Sequence, residues 1–183
     1  MDPIVCKFGS HLYGKTTAIS DKDIYCISDE ASVPYEVISS KGVDCHYVSS
    51  QHFQEMLDKH DIAAMEVYSS EQHIQSHFKF DFDQDKLRRS ISAVVSNSWV
   101  KAKKKMAQGD DYIGRKSMWH SLRILMFGIQ IAKHKKVVDF QEANCYYDDI
   151  VLSGKPYDEL KETYHPIMKA KQTEFRILCP KEL

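Results

Sequence analysis

Asp21 and Asp23 stand one residue apart, ahead of Ile24, Tyr25, Cys26 and Ile27. The run alternates and then turns apolar, which reads as a partly buried strand. Residues i and i+2 of a strand share a face, so both carboxylates project together at its entrance. Adjacent carboxylates repel, and a cation between them removes that cost. Such oxygen ligands suit Mg²⁺ or Mn²⁺, which commonly uses one or two carboxylates together with substrate phosphates. Two such ions about 4 Å apart activate an attacking oxygen and stabilise a leaving one.

Just upstream lies Lys7-Phe8-Gly9-Ser10-His11-Leu12-Tyr13-Gly14. Gly9 and Gly14 tolerate backbone dihedrals that other residues resist, and they let a phosphate approach closely. Ser10, His11, Leu12 and Tyr13 suit the first turn of a helix. Its backbone N–H groups, with the Ser10 hydroxyl, would seat phosphate oxygens. The gap at residues 15–19 is short enough for this seat to lie beside the carboxylates.

Val43-Asp44-Cys45-His46-Tyr47-Val48 reads as the next strand and carries one isolated aspartate. Alternation puts Asp44, His46 and Val48 on one face. A charge inside a strand-forming run is costly unless exposed, paired or metal-bound. His46 reads as a half-buried or surface histidine rather than a ligand.

The combined string, residues 8–14 followed by Ser20-Asp21-Lys22-Asp23-Ile24, resembles the signature of the polymerase-β-type nucleotidyltransferase superfamily. It is most similar to a bacterial and phage family of predicted nucleotidyltransferases. The resemblance implies an α+β fold: an N-terminal mixed β-sheet core at residues 1–85, and a C-terminal helical bundle at 86–183 closing a nucleotide cleft. It also implies that Asp21, Asp23 and Asp44 hold Mg²⁺ or Mn²⁺ and carry catalysis, with Gly9 and Ser10 on the phosphates of a nucleoside triphosphate. Asp44 matches the superfamily's third carboxylate by order and context, the other reading being an exposed strand aspartate. The expected reaction moves a nucleoside monophosphate to an acceptor hydroxyl and releases pyrophosphate.

The acceptor stays open among RNA, protein and small molecule, as do the base and the oligomeric state. Two other readings stand beside this one. The chain is a nucleotide- or RNA-binding module without turnover, or a toxin–antitoxin-type regulator that adds AMP to a protein.

The elements that must position these groups follow from the pattern. Tyr35-Glu36-Val37-Ile38 suits a strand, closed by a Lys41-Gly42 turn. Ser50 reads as the start of a helix, with Phe53, Met56 and Leu57 at helical spacing. Ile62-Ala63-Ala64-Met65-Glu66-Val67-Tyr68 is a short apolar segment whose Glu66 matches a family glutamate, read as a structural partner of a basic side chain, with a fourth metal ligand as the other reading. Residues 71–85 read as a connection, with Phe78, Phe80 and Phe82 extended and the acids as a linker or helix cap.

Beyond it, Leu87, Ile91, Val94 and Val95 follow a helical period. Lys101, Lys103, Lys104 and Lys105 form a basic cluster, either a solvated face or a contact for a triphosphate or RNA backbone. Lys116, His120 and Arg123 stand at i, i+4 and i+7 on one helix face. The resembled family carries a similar Lys-x-x-x-His-x-x-Arg helix, which implies phosphate or acceptor contacts. The alternative is a surface helix whose cations pair with acids such as Glu66. A last amphipathic helix is expected from Asp158, with residues 176–183 as a loose end.

The 183 residues are 43% hydrophobic and 28% charged, enough to bury a core, and the formal net charge of −1 gives no global case for nucleic acid. Five cysteines without a Cys-x-x-Cys suggest small buried hydrophobes in a reducing compartment rather than zinc. No signal-like segment or bilayer-length apolar run is seen, so an intracellular, cytoplasmic protein without membrane contact is expected.

Overall fold

The computed structural model describes residues 2–16, 22–31 and 33–181. They form an α+β protein that divides into two compact units, residues 1–82 with 136–141 and residues 83–135 with 142–183. Asp21 and Ser20 lie outside the described residues.

The first unit carries strands β1 (Ile4–Lys7), β2 (Lys22–Ser28), β3 (Tyr35–Ser40) and β4 (Val43–Ser49) in one mixed sheet of order β1-β2-β4-β3. β1 runs antiparallel to β2, β2 parallel to β4, and β3 antiparallel to β4. Lys41 and Gly42 turn the β3–β4 hairpin with φ of 48° and 75°. Positive φ at both central positions matches the right-handed twist of the flanking strands.

Strand alternation decides what is buried. Ile4, Cys6, Tyr25, Ile27 and Val48 point to one face and are buried there. That face meets α2 (Ser50–Asp58): the Tyr25 and Phe53 rings are 6.1 Å apart, and Phe53 meets Phe78 at 4.8 Å. Burial pushes the Cys6 thiol up to about 12, so it packs as a hydrophobe and not as a nucleophile.

The helix boundaries refine the sequence reading. Ser49, not Ser50, caps α2, its Oγ accepting from the His52 N–H at 3.2 Å. The apolar segment around Glu66 is helical, α3 (Ile62–Ser70), because the Asp61 side chain caps it through Ala63 and Ala64 N–H. Within the expected connection a further turn forms, α4 (Gln72–His77). The single turn α1 (Ser10–Tyr13) follows Gly9 and ends at Gly14, whose left-handed backbone returns its N–H to the Ser10 carbonyl.

Tyr13 and Glu66 are both buried, and the Tyr13 hydroxyl donates to the Glu66 carboxylate. This hydrogen bond ties the glycine-flanked turn to α3. Tyr13→Phe takes one donor from a buried carboxylate, so a stability loss of about 1–3 kcal/mol is expected in urea unfolding.

The second unit is helical: α5 (Gln84–Ala107), α6 (Asp111–His134), a 3₁₀ turn (Glu142–Tyr146), a π-helical turn (Asp148–Leu152) and α7 (Tyr157–Leu178). Asp83 caps α5 through the Lys86 N–H, which accounts for one of the acids before it. Gly109, at φ 79°, turns the chain between α5 and α6. Close approach of these helices is set by Gly114, where a Cβ would lie 2.2 Å from the Met106 side chain and 3.0 Å from the Ala102 carbonyl.

The C-terminus departs from the loose end expected. α7 continues to Leu178 because Phe175 and Cys179 are buried, and Arg88 donates to the Cys179 carbonyl at 2.5 Å. Among the described residues, no helix is long and apolar enough to cross a membrane.

Candidate active site

Strand register brings the two halves of the glycine–aspartate motif together. Lys7 pairs with Ile24 in the antiparallel β1–β2 ladder, and the Phe8 N–H continues it to the Asp23 carbonyl at 3.0 Å. The next residue, Gly9, therefore lies against the Asp23 side chain. A Cβ there would sit 1.9 Å from Asp23 Oδ2. Gly9 also has φ 61° and ψ −142°, a region nearly closed to residues with a side chain.

On the other side of β2, Asp23 is the register partner of Asp44 on parallel β4. Partners of this kind share a face, so Gly9, Asp23 and Asp44 line up across three neighbouring strand ends. Both aspartates are half-buried. Ser10 opens the turn that follows Gly9, whose carbonyl accepts from Leu12 N–H at 2.9 Å.

His46, two residues beyond Asp44, has Nε2 3.8 Å from Asp23 Oδ1. A contact with the aspartate was not foreseen; the signal was its place on the Asp44 face. Asp21, the other expected ligand, falls outside the described residues, and within them no three His, Cys, Asp or Glu side chains are set to hold a metal. The Asp23–Asp44 pair has the donor chemistry of a Mg²⁺ or Mn²⁺ site: hard oxygens and like charges on register partners.

In the helical unit, the structure separates the three cationic positions that the spacing grouped. Lys116 is exposed, its Nζ 6.0 Å from the Tyr112 ring centroid. Arg123 is only 3% exposed, its guanidinium 5.6 Å from the Trp119 ring and 5.1 Å from that of Phe127. Its Nη2 lies 2.8 Å from His120 Nδ1. The guanidinium can only donate, so Nδ1 accepts and the imidazole is held neutral.

Burial, and then the charges of Arg123, Lys101 and Lys116, lower the His120 pKa to about 3. Lys101, on α5, thus joins the cluster from a second helix; sequence reading placed it only in a basic run. Neither Lys101 nor Lys116 makes an ion pair among the described residues. A field that discourages a proton on His120 favours an anion beside it.

This has a consequence for stability. The folded pKa lies below the unfolded value near 6.5, so below about pH 6.5 the unfolded chain binds a proton that the folded chain refuses. Stability should fall as pH drops from about 6.5 towards 3, with a slope of at most about 1.4 kcal/mol per pH unit from this group. Urea midpoints at pH 8, 6 and 5 check it, and His120→Gln should flatten the profile.

No family model matches the chain, and no curated protein matches it. Among solved structures it is similar to the crystal structure of a nucleotidyltransferase-like protein from Exiguobacterium sibiricum 255-15. The two are 16% identical with a TM-score of 0.39, over 95% of this chain and 68% of that one. The site described above stands on its own geometry.

Proposed function

We propose that the chain is a metal-dependent nucleotidyltransferase. The observation that supports this most is the row Gly9, Asp23, Asp44: a glycine whose missing Cβ admits the Asp23 carboxylate, and a second carboxylate in register beside it.

In this reading Asp23 and Asp44, with Asp21, hold Mg²⁺ or Mn²⁺, and Gly9 and Ser10 cradle the β- and γ-phosphates through backbone N–H groups and the Ser10 hydroxyl. The bound cations supply charge neutralisation on the phosphates. The acceptor oxygen forms a bond to the α-phosphorus, the bond from that phosphorus to the bridging oxygen breaks, and pyrophosphate leaves with the electron pair. Asp44 takes the acceptor's proton. The chain's contribution is alignment and charge, as phosphoryl chemistry requires.

Lys116 and Lys101 offer point charges to an anion bound on the helical unit itself, and Arg123 holds His120 in its neutral form. Lys101→Glu should weaken phosphate contact without touching the carboxylates.

The test is incubation of the full chain with each α-labelled nucleoside triphosphate, Mg²⁺ or Mn²⁺, and cellular RNA, protein and metabolites as separate acceptor pools. Label in one pool names the acceptor, with protein labelling matching the AMP-adding regulator. Metal-dependent binding with no label in any pool would replace this proposal with the binding module.

A further inference from the structure

His46 is held on three sides by rings. It stacks on Tyr25 with centroids 5.8 Å apart and planes 8° from parallel. Phe8 meets it edge-on at 5.4 Å, and the Tyr35 ring lies 6.1 Å away. Tyr35 comes from the edge strand β3, where it is 44% exposed. Its hydroxyl is 2.8 Å from His46 Nδ1. A phenol can donate or accept, and a carboxylate oxygen facing Nε2 favours the tautomer with the ring proton on Nε2 and Nδ1 accepting from Tyr35.

Nε2 is the nitrogen 3.8 Å from Asp23 Oδ1. The other oxygen, Oδ2, is the one against Gly9. The two oxygens of Asp23 are thus distinguished by their neighbours, an N–H on one and a bare glycine on the other. An outer partner that fixes a ligand's orientation commonly changes metal affinity by about 10–100-fold.

We infer that Tyr35 and His46 are positioning residues that fix the orientation of the Asp23 carboxylate, Tyr35 acting through His46 by setting its tautomer. The inference rests on the reading of Asp23 as a metal ligand. It explains why an exposed edge-strand tyrosine reaches inward to an imidazole, and why that imidazole is clamped by Phe8, the residue before Gly9. Tyr35 touches neither aspartate in this account; its effect passes through one hydrogen bond.

The experiment is Mn²⁺ titration of the full chain, followed by the electron paramagnetic resonance signal of free Mn²⁺, on Asp23→Asn, Tyr35→Phe, His46→Ala, His46→Gln and the Tyr35→Phe/His46→Gln double variant. Glutamine places an amide N–H₂ near the position of Nε2 and needs no tautomer. Tyr35→Phe and His46→Ala are expected to weaken Mn²⁺ binding about tenfold. His46→Gln should stay within about threefold of the parent, and adding Tyr35→Phe to it should cause no further loss.

Rescue by glutamine and loss of the Tyr35 effect in that background are readouts that a purely structural role would not produce. Tyr35→Phe with unchanged affinity, or with the same loss in both backgrounds, overturns the inference. Asp23→Asn is the separate control: if it binds Mn²⁺ as the parent does, the metal-site reading itself fails. If it loses binding while His46→Ala keeps it, only the positioning role fails.

Discussion

Gly9→Ala is expected to lower turnover at least about a hundredfold, the scale of an ångström-sized misplacement of catalytic groups. The reason is geometric. The new methyl would overlap the Asp23 carboxylate, 1.9 Å from Oδ2 and 2.7 Å from Cγ. Either the carboxylate swings away or the turn carrying Ser10 moves off the strand end. The backbone adds its own cost, because φ 61° with ψ −142° is a strained region for alanine, at about 1–3 kcal/mol. Urea unfolding and nucleotide turnover together check this.

Gly14→Ala is the matched control. Its φ of 70° also disfavours alanine, but its Cβ would meet only the Gln141 side-chain amide at 3.3 Å. A stability loss of about 1–2 kcal/mol with turnover largely kept is the expected result. Equal losses of turnover in both variants would mean that the contact with Asp23 is not what makes Gly9 matter.

Asp44→Asn and Asp23→Asn are expected to separate activity from stability. Each keeps the shape of the side chain and removes one charge. Turnover should fall by about a thousandfold or more if, as proposed, the carboxylates act where phosphate charge must be balanced. Stability should hold or rise slightly, because like charges directly opposite each other on neighbouring strands destabilise the sheet. Thermal midpoints and turnover of the two variants check the separation. A large drop in the midpoint of either would identify that aspartate as a structural partner instead.

Much of this arrangement was readable from residue order. Alternation showed strands at residues 23–27 and 43–48 and put Asp44 with His46 on one face, as the ladder has them. The 3.6-residue period located the α5 core at Leu87, Ile91 and Val95. What spacing could not supply was depth. Lys116, His120 and Arg123 share a helix face, yet one is exposed and another is sealed between Trp119 and Phe127.

Periodicity gives direction around a helix axis and says nothing about which turn a neighbour covers. Long-range partners were equally hidden. Tyr13 with Glu66, Tyr35 with His46, and Arg88 with the Cys179 carbonyl join residues far apart or across strands. The C-terminal helix was cut short because Pro180 and the charged residues near it outweighed, in a local reading, the burial of Phe175 and Cys179.

The central claim is that the carboxylates beside Gly9 drive phosphoryl transfer. Pyrophosphate release from each nucleoside triphosphate, measured with Mg²⁺ or Mn²⁺ for the parent chain and for Asp23→Asn side by side, tests it most directly. Metal-dependent release by the parent and its loss in the variant, with both proteins folded, is the expected result. Release that persists undiminished in Asp23→Asn, or no release and no metal-dependent nucleotide binding by the parent, would contradict it.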